Sequence, residues 1–192
     1  MTSREKILSA VKQNQPPAKS VIREMFERGA PDLVQEFRKV LQSIGGSLYV
    51  VNSVDEINDV LSKSISPLRK VYSTDAQIFN GTSLNPASGH GYADLDLCVL
   101  KSNLAVAENG AVWLSDEELP HRALPFISQH LAVVIPKKAI VANMHEAYDI
   151  IGDNAYSYGV FIAGPSKTAD IEQSLVLGAH GAMSMTVFLL EG

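Results

Sequence analysis

The chain has 192 residues, enough for one domain with a sizeable core and short for two. Apolar residues make up 46% and charged residues 19%, the balance of a soluble globular protein, which excludes a disordered chain. A net charge of -5 argues against nucleic acid as partner, because duplex binding rests on clustered Lys and Arg that displace counterions.

The amino terminus, Met1-Thr2-Ser3-Arg4-Glu5-Lys6, opens on charge and reads as neither a signal peptide nor a membrane span. Thr2 and Glu5 have capping-box spacing, and Ile7, Leu8 and Val11 then share one helical face. Pro16-Pro17 ends that helix, and residues 12–30 read as a peripheral connector. A second helix is predicted from Asp32 to Ile44, with Leu33, Phe37, Val40, Leu41 and Ile44 on one face and Gly45-Gly46 for a left-handed stop. Ser47 to Val51 is a short strand. Ser53 and Glu56 form another capping box before Val54, Ile57, Val60 and Leu61.

Arg69 to Ser73 reads as a strand. Phe79 to Tyr92, rich in Asn, Gly and Ser, reads as a long loop with little to bury. Asp94–Leu100, Leu104–Ala107 and Ala111–Leu114 are strand candidates too close for helical crossovers, which predicts antiparallel pairing or a bend among them. Leu131 to Ile135 is a continuous apolar run, as in a strand buried on both faces. Asn143 and Glu146 open a helix through Ile151, and Val160–Ala163 and Thr186–Leu190 complete the strands. Together these elements predict one α/β domain over residues 1–192, with a largely parallel sheet, some antiparallel strands and helices on both faces.

Gly164-Pro165-Ser166-Lys167-Thr168-Ala169-Asp170-Ile171-Glu172 follows a strand and precedes a short helix-like run ending at Gly178. Gly164 permits close approach to the backbone, Ser166 and Thr168 supply hydroxyls, Lys167 supplies charge, and a helix start supplies free N–H groups. The run is thus a candidate site for a small carboxylate or phosphate. Asp170 and Glu172 work against this, since they already compensate the dipole of the helix start. The alternative is an ordinary helix start.

Glu108 is the most interesting single acid, followed by Asn109 and Gly110 between two strand candidates. Asn-Gly is a strong hairpin signal, and a turn is the favoured reading. The histidines, His90, His121, His130, His145 and His180, have no metal-ligand spacing, and no metal site is predicted. His130 is the candidate general base, expected with Thr168 at the ligand-facing edge of the sheet, although for each histidine alone a structural role is the favoured reading. Trp113-Leu114 running into Ser115-Asp116-Glu117-Glu118 reads as a strand leaving for a solvated acidic turn. Cys98 is the sole cysteine, so this chain alone has no disulfide, CxxC pair or cysteine-held iron–sulfur cluster, which favours the cytoplasm.

The run 164–172, with Leu175-Val176-Leu177-Gly178-Ala179-His180-Gly181, resembles the C-terminal signature of the LUD-domain family, the lactate-utilisation protein C group. Ala107-Glu108-Asn109-Gly110-Ala111 and His130-Leu131-Ala132-Val133-Val134 match more loosely. Asn109 and Ala111 stand where the family usually has threonines. The resemblance implies a Rossmann-like sandwich similar to the NagB/RpiA/CoA-transferase-like superfamily. It also implies a part in oxidising L-lactate to pyruvate beside iron–sulfur partner subunits, which would carry the clusters. Glu108-Asn109-Gly110 further resembles the segment holding the nucleophilic glutamate of coenzyme A transferases, so a stand-alone enzyme acting on an acyl or phosphate substrate stays open. So does a non-catalytic small-molecule-binding subunit.

Overall fold

The structure is a computed structural model and describes residues 2–17, 32–65, 70–79, 89–154, 156–167, 178 and 180–191. Thr168, Asp170, Glu172 and the helix-like run after them lie outside the described residues.

Helix α1 (Ser3–Gln13) begins with the expected capping box: Thr2 Oγ1 accepts the Glu5 N–H, and the Glu5 carboxylate accepts the Thr2 N–H at 2.7 Å. Helix α2 (Leu33–Ser43) is capped by Asp32 Oδ1 and buries Phe37 and Leu41 completely. Its end is a Schellman motif, in which the Gly46 N–H reaches the Leu41 carbonyl, the Gly45 N–H reaches that of Gln42, and Gly45 has φ +91°. Strand β1 (Ser47–Val51) leads to helix α3 (Val54–Ser64). Ser53 caps α3 as expected, but the Glu56 carboxylate reaches one residue past the cap, to the Asn52 N–H at 3.1 Å.

The remaining elements are β2 (Val71–Ser73), β3 (Leu97–Lys101), β4 (Ala105–Val106), β5 (Ala111–Ser115), the single turn α4 (Leu124–Ile127), β6 (His130–Pro136), β7 (Ile140–Val141), α5 (Met144–Ile151), β8 (Gly159–Ala163) and β9 (Ser184–Leu190). Strand β3 starts later than the apolar pattern predicts. Asp94 has φ +66°, which a strand cannot hold, and an Asp96 carboxylate oxygen accepts the Lys70 N–H at 2.8 Å. Tyr92 corrects the reading of its loop as having little to bury. It is 3% exposed, ends a 3₁₀ turn over Gly89–Tyr92, and meets Tyr72 edge-on.

The strands form two sheets. The first has the order β1-β9-β6-β3-β2 and is parallel throughout. The second, β7-β4-β5-β8, is mixed: β5 runs antiparallel to β4 and β8, while β4 and β7 are parallel. The antiparallel pairing expected between residues 104 and 114 is therefore real and belongs to this smaller sheet.

Alternation along the strands separates the layers, because successive side chains face opposite ways. In β6, Leu131, Val133 and Ile135 join α2 and the second sheet's Val112 and Leu114 in one core; Ala132 and Val134 join Ile57 and Leu61 of α3 in another. The second sheet in turn presents Leu104, Val106, Trp113 and Phe161 to Ala147 and Ile151 of α5. The protein is thus α/β, with α3 on one outer face, two sheets sharing a core, and α5 on the other outer face.

Candidate functional site

Glu108, Asn109 and Gly110 lie in the four-residue loop, 107–110, of the β4–β5 hairpin. The loop is closed by the Gly110 N–H on the Val106 carbonyl and by Asn109 Oδ1 accepting the Ala111 N–H at 3.1 Å. Gly110 has φ +66°, and a Cβ there would lie 3.1 Å from the Leu41 Cα, so the turn rests directly on the backbone of α2. Glu108 is half-buried and points toward α5, where its Oε1 accepts the N–H of Met144, the first residue of that helix, at 2.8 Å. A carboxylate there satisfies an orphan donor and sits against the positive end of the helix.

Gly164 faces the same support. Register pairs Ala111 with Ala163, so Gly110 and Gly164 flank one rung; a Cβ on Gly164 would fall 3.0 Å from the Ile44 carbonyl oxygen. Pro165 and Lys167 pass over Gly45, and the Ser166 N–H bonds the Ala182 carbonyl at 2.8 Å. Gly164, Ser166 and Lys167 are therefore drawn to the edge of the parallel sheet where β1 and β9 begin. Thr168 lies outside the described residues.

His130 stands at that same edge. Because the first sheet is wholly parallel, Ser47, Ser184, His130, Leu97 and Val71 begin its strands side by side. Open α/β sheets usually hold ligands at the opposite, carboxyl edge, so the place of His130 differs from the ligand-facing edge expected for it, and any role must rest on its own contacts. Its Nδ1 lies 2.7 Å from Ser184 Oγ, a partner 54 positions away that no local pattern announces. Burial lowers its pKa, and the nearby Asp96 charge offsets this only in part. The imidazole is thus biased toward the neutral form that can accept a proton.

The edge accordingly carries two groups: the neutral-leaning His130 with Ser184, and, near the starts of β9 and β1, Ser166 and Lys167. The end of α2 contributes the negative pole of its dipole, so Lys167 is the feature that suits the place to an anion. Glu108 adjoins this edge through Gly110 but spends its bond on α5. His121 is structural: its Nδ1 accepts the Ala123 N–H and its ring lies against Tyr92. Cys98 is fully buried and its thiol is pushed up in pKa by burial, which suits a core side chain and not a cluster ligand. Among the described residues no group of three or more His, Cys, Asp or Glu is arranged to hold a metal ion. The carboxyl edge presents Ser73 and the ion pair Asp75–Lys101, 2.7 Å apart, none of which stands out in the sequence.

The sequence model of the LUD domain matches residues 90–190, just over half of the chain, a span that includes Glu108, His130, Ser184 and the 164–167 turn. The chain belongs to the LUD-domain family. Like this LUD-domain chain over 109 residues is the lactate utilization protein C of Geobacillus kaustophilus, at 33% identity; the match takes in 52% of the chain and 45% of that relative. The chain thus matches somewhat under half that relative's length. A longer match, 24% identical over 188 residues, joins it to the lactate utilization protein C of Geobacillus thermodenitrificans and covers 94% of the chain and 77% of the relative. In fold, the LUD-domain chain is similar to a crystal structure of a DUF162 family protein from Deinococcus radiodurans, with a TM-score of 0.61, 16% identity, and coverage of 83% and 96% of the two chains. No helix among the described residues is long and apolar enough to cross a membrane.

Proposed function

We propose that this protein is a component of a lactate-utilisation system that oxidises L-lactate to pyruvate, and that its own task is to hold a small carboxylate at the amino edge of the parallel sheet. The observation that carries the reading is the His130–Ser184 contact at the strand-start edge that the Ser166 N–H also reaches, through the Ala182 carbonyl, within a chain related to lactate utilization protein C. Lys167 and the Ser166 hydroxyl would bind the carboxylate, which charge-assisted bonding favours. His130, kept neutral by burial and oriented by Ser184, would take the hydroxyl proton at Nε2. Oxidation of lactate to pyruvate also releases an electron pair and a second proton. Cys98 cannot serve as their acceptor, so the electrons would pass to iron–sulfur partner subunits in the cytoplasm. Titration calorimetry of the chain with L-lactate, pyruvate and inorganic phosphate tests the binding step. Saturable binding of a carboxylate that Lys167→Ala weakens supports it, and no binding of any of the three sinks it.

A further inference from the structure

Among the described residues, two surfaces lack a partner. Helix α1 buries none of its residues, and its apolar face stands in solvent, with Ile7 64%, Leu8 53% and Val11 56% exposed. At the far end of the second sheet from the Glu108 loop, a groove of about 470 Å³ opens between that sheet and α5, lined by Leu104, Trp113, Ile150 and Tyr156, with Glu117 and Glu118 among its polar lining. Ile150 is 57% and Tyr156 43% exposed, so this is an open trough and not an enclosed pocket. Its aromatic wall is fixed: Trp113 meets Tyr156 edge-on at 5.5 Å and Phe161 at 4.7 Å. The acidic end is fixed too, since Glu118 Oε2 accepts both the Ser115 N–H and its hydroxyl.

The two surfaces are complementary. An amphipathic helix lays its apolar face into such a trough through residues one turn apart, and Ile7, Leu8 and Val11 have that spacing. Among the described residues no Lys or Arg lines the trough, whereas α1 carries Arg4, Lys6 and Lys12 against Glu5, whose carboxylate is engaged in the capping box. We propose that α1 of one copy of this chain docks in the Trp113–Ile150 trough of a second copy, the two copies exchanging helices about a two-fold axis. A two-fold exchange covers both helices and both troughs at once and closes without further growth, doubling the area that a single contact buries.

Sedimentation equilibrium of the full chain, with Leu8→Glu and Ile150→Glu, tests this. Both side chains are exposed, so the variants are expected to unfold like the wild type. The expected result is a dimer whose Kd rises at least about tenfold in each variant. In a mixture of Val11→Cys and Ile150→Cys chains, oxidation should yield disulfides between the two kinds of chain; buried Cys98 does not compete. A monomer at every concentration overturns the proposal, as does a dimer indifferent to both substitutions. A Val11→Cys/Ile150→Cys chain that closes only on itself would place α1 on its own trough and overturn it as well. So would thermal stabilisation of a monomer by tetramethylammonium that Tyr156→Ala removes, which would mark a site for small organic cations.

Discussion

The Glu108 carboxylate accepts the backbone N–H of Met144 at 2.8 Å, tying the β4–β5 loop to the first turn of α5. A side chain that resembles a nucleophile is thereby occupied as a helix cap from a distant strand. Glu108→Ala should lower stability by about 1–2 kcal/mol, as the loss of a cap does, while Glu108→Gln, whose amide oxygen can still accept, should cost about 0.5 kcal/mol. Chemical denaturation of both variants checks this ordering. Equal losses in the two would show that charge, not the accepted bond, is what α5 requires.

His130 makes stability depend on pH in a defined direction. Its pKa is lowered in the folded state, so below the ordinary value of about 6.5 the unfolded chain binds the proton more readily than the folded one. Its contribution is therefore whole above about pH 6.5 and is lost as pH falls through the depressed folded value. Thermal unfolding from pH 7.5 to 5.5 should show a falling Tm, with a shallower fall in His130→Asn. Parallel curves would mean that the ring stays as well solvated as in the unfolded chain.

Gly110 and Gly164, with φ +66° and +72°, press on Leu41 and Ile44 from two adjacent turns. Alanine at either position meets both a left-handed backbone and α2, and each substitution should cost about 2 kcal/mol. Because the two share Ile44 as neighbour, the double variant should fall short of the sum. Denaturant midpoints at constant slope measure this, and full additivity would argue that the turns relax independently.

At the other edge, the hydrogen bond from Lys101, and then that from the Gln77 N–H, hold the Asp75 carboxyl below its usual range. Its stabilisation is present above about pH 4 and lost as pH falls through the depressed value. Asp75→Asn should cost up to about 1 kcal/mol at pH 7, given that Lys101 is largely exposed, and nothing at the acid end. The difference between wild type and variant should shrink as pH falls toward 2, measured by urea unfolding.

Local chemistry was readable and long-range placement was not. Thr2, Ser53 and Asn143 all cap the helices that their spacing predicts, because capping needs only neighbours three residues apart. The run 131–135 is buried on both faces as its unbroken apolar character requires. The division into two sheets escapes a periodicity reading, since β4 and β7 have two residues each and gain their identity from partners. Ser184 was missed for the same reason: only the β6–β9 register brings it to His130. The Glu56 and Glu146 carboxylates each reach one residue beyond the expected cap, a detail of side-chain reach that spacing does not set.

The most direct test of the proposed function is lactate-dependent reduction of an electron acceptor by the chain reconstituted with the iron–sulfur subunits proposed as its partners, with wild type compared to His130→Gln. Reduction that requires the wild-type chain and falls at least about a hundredfold in the variant is the expected result, the range over which a lost general base acts. Full activity without this chain, or no activity in any combination, would contradict the account.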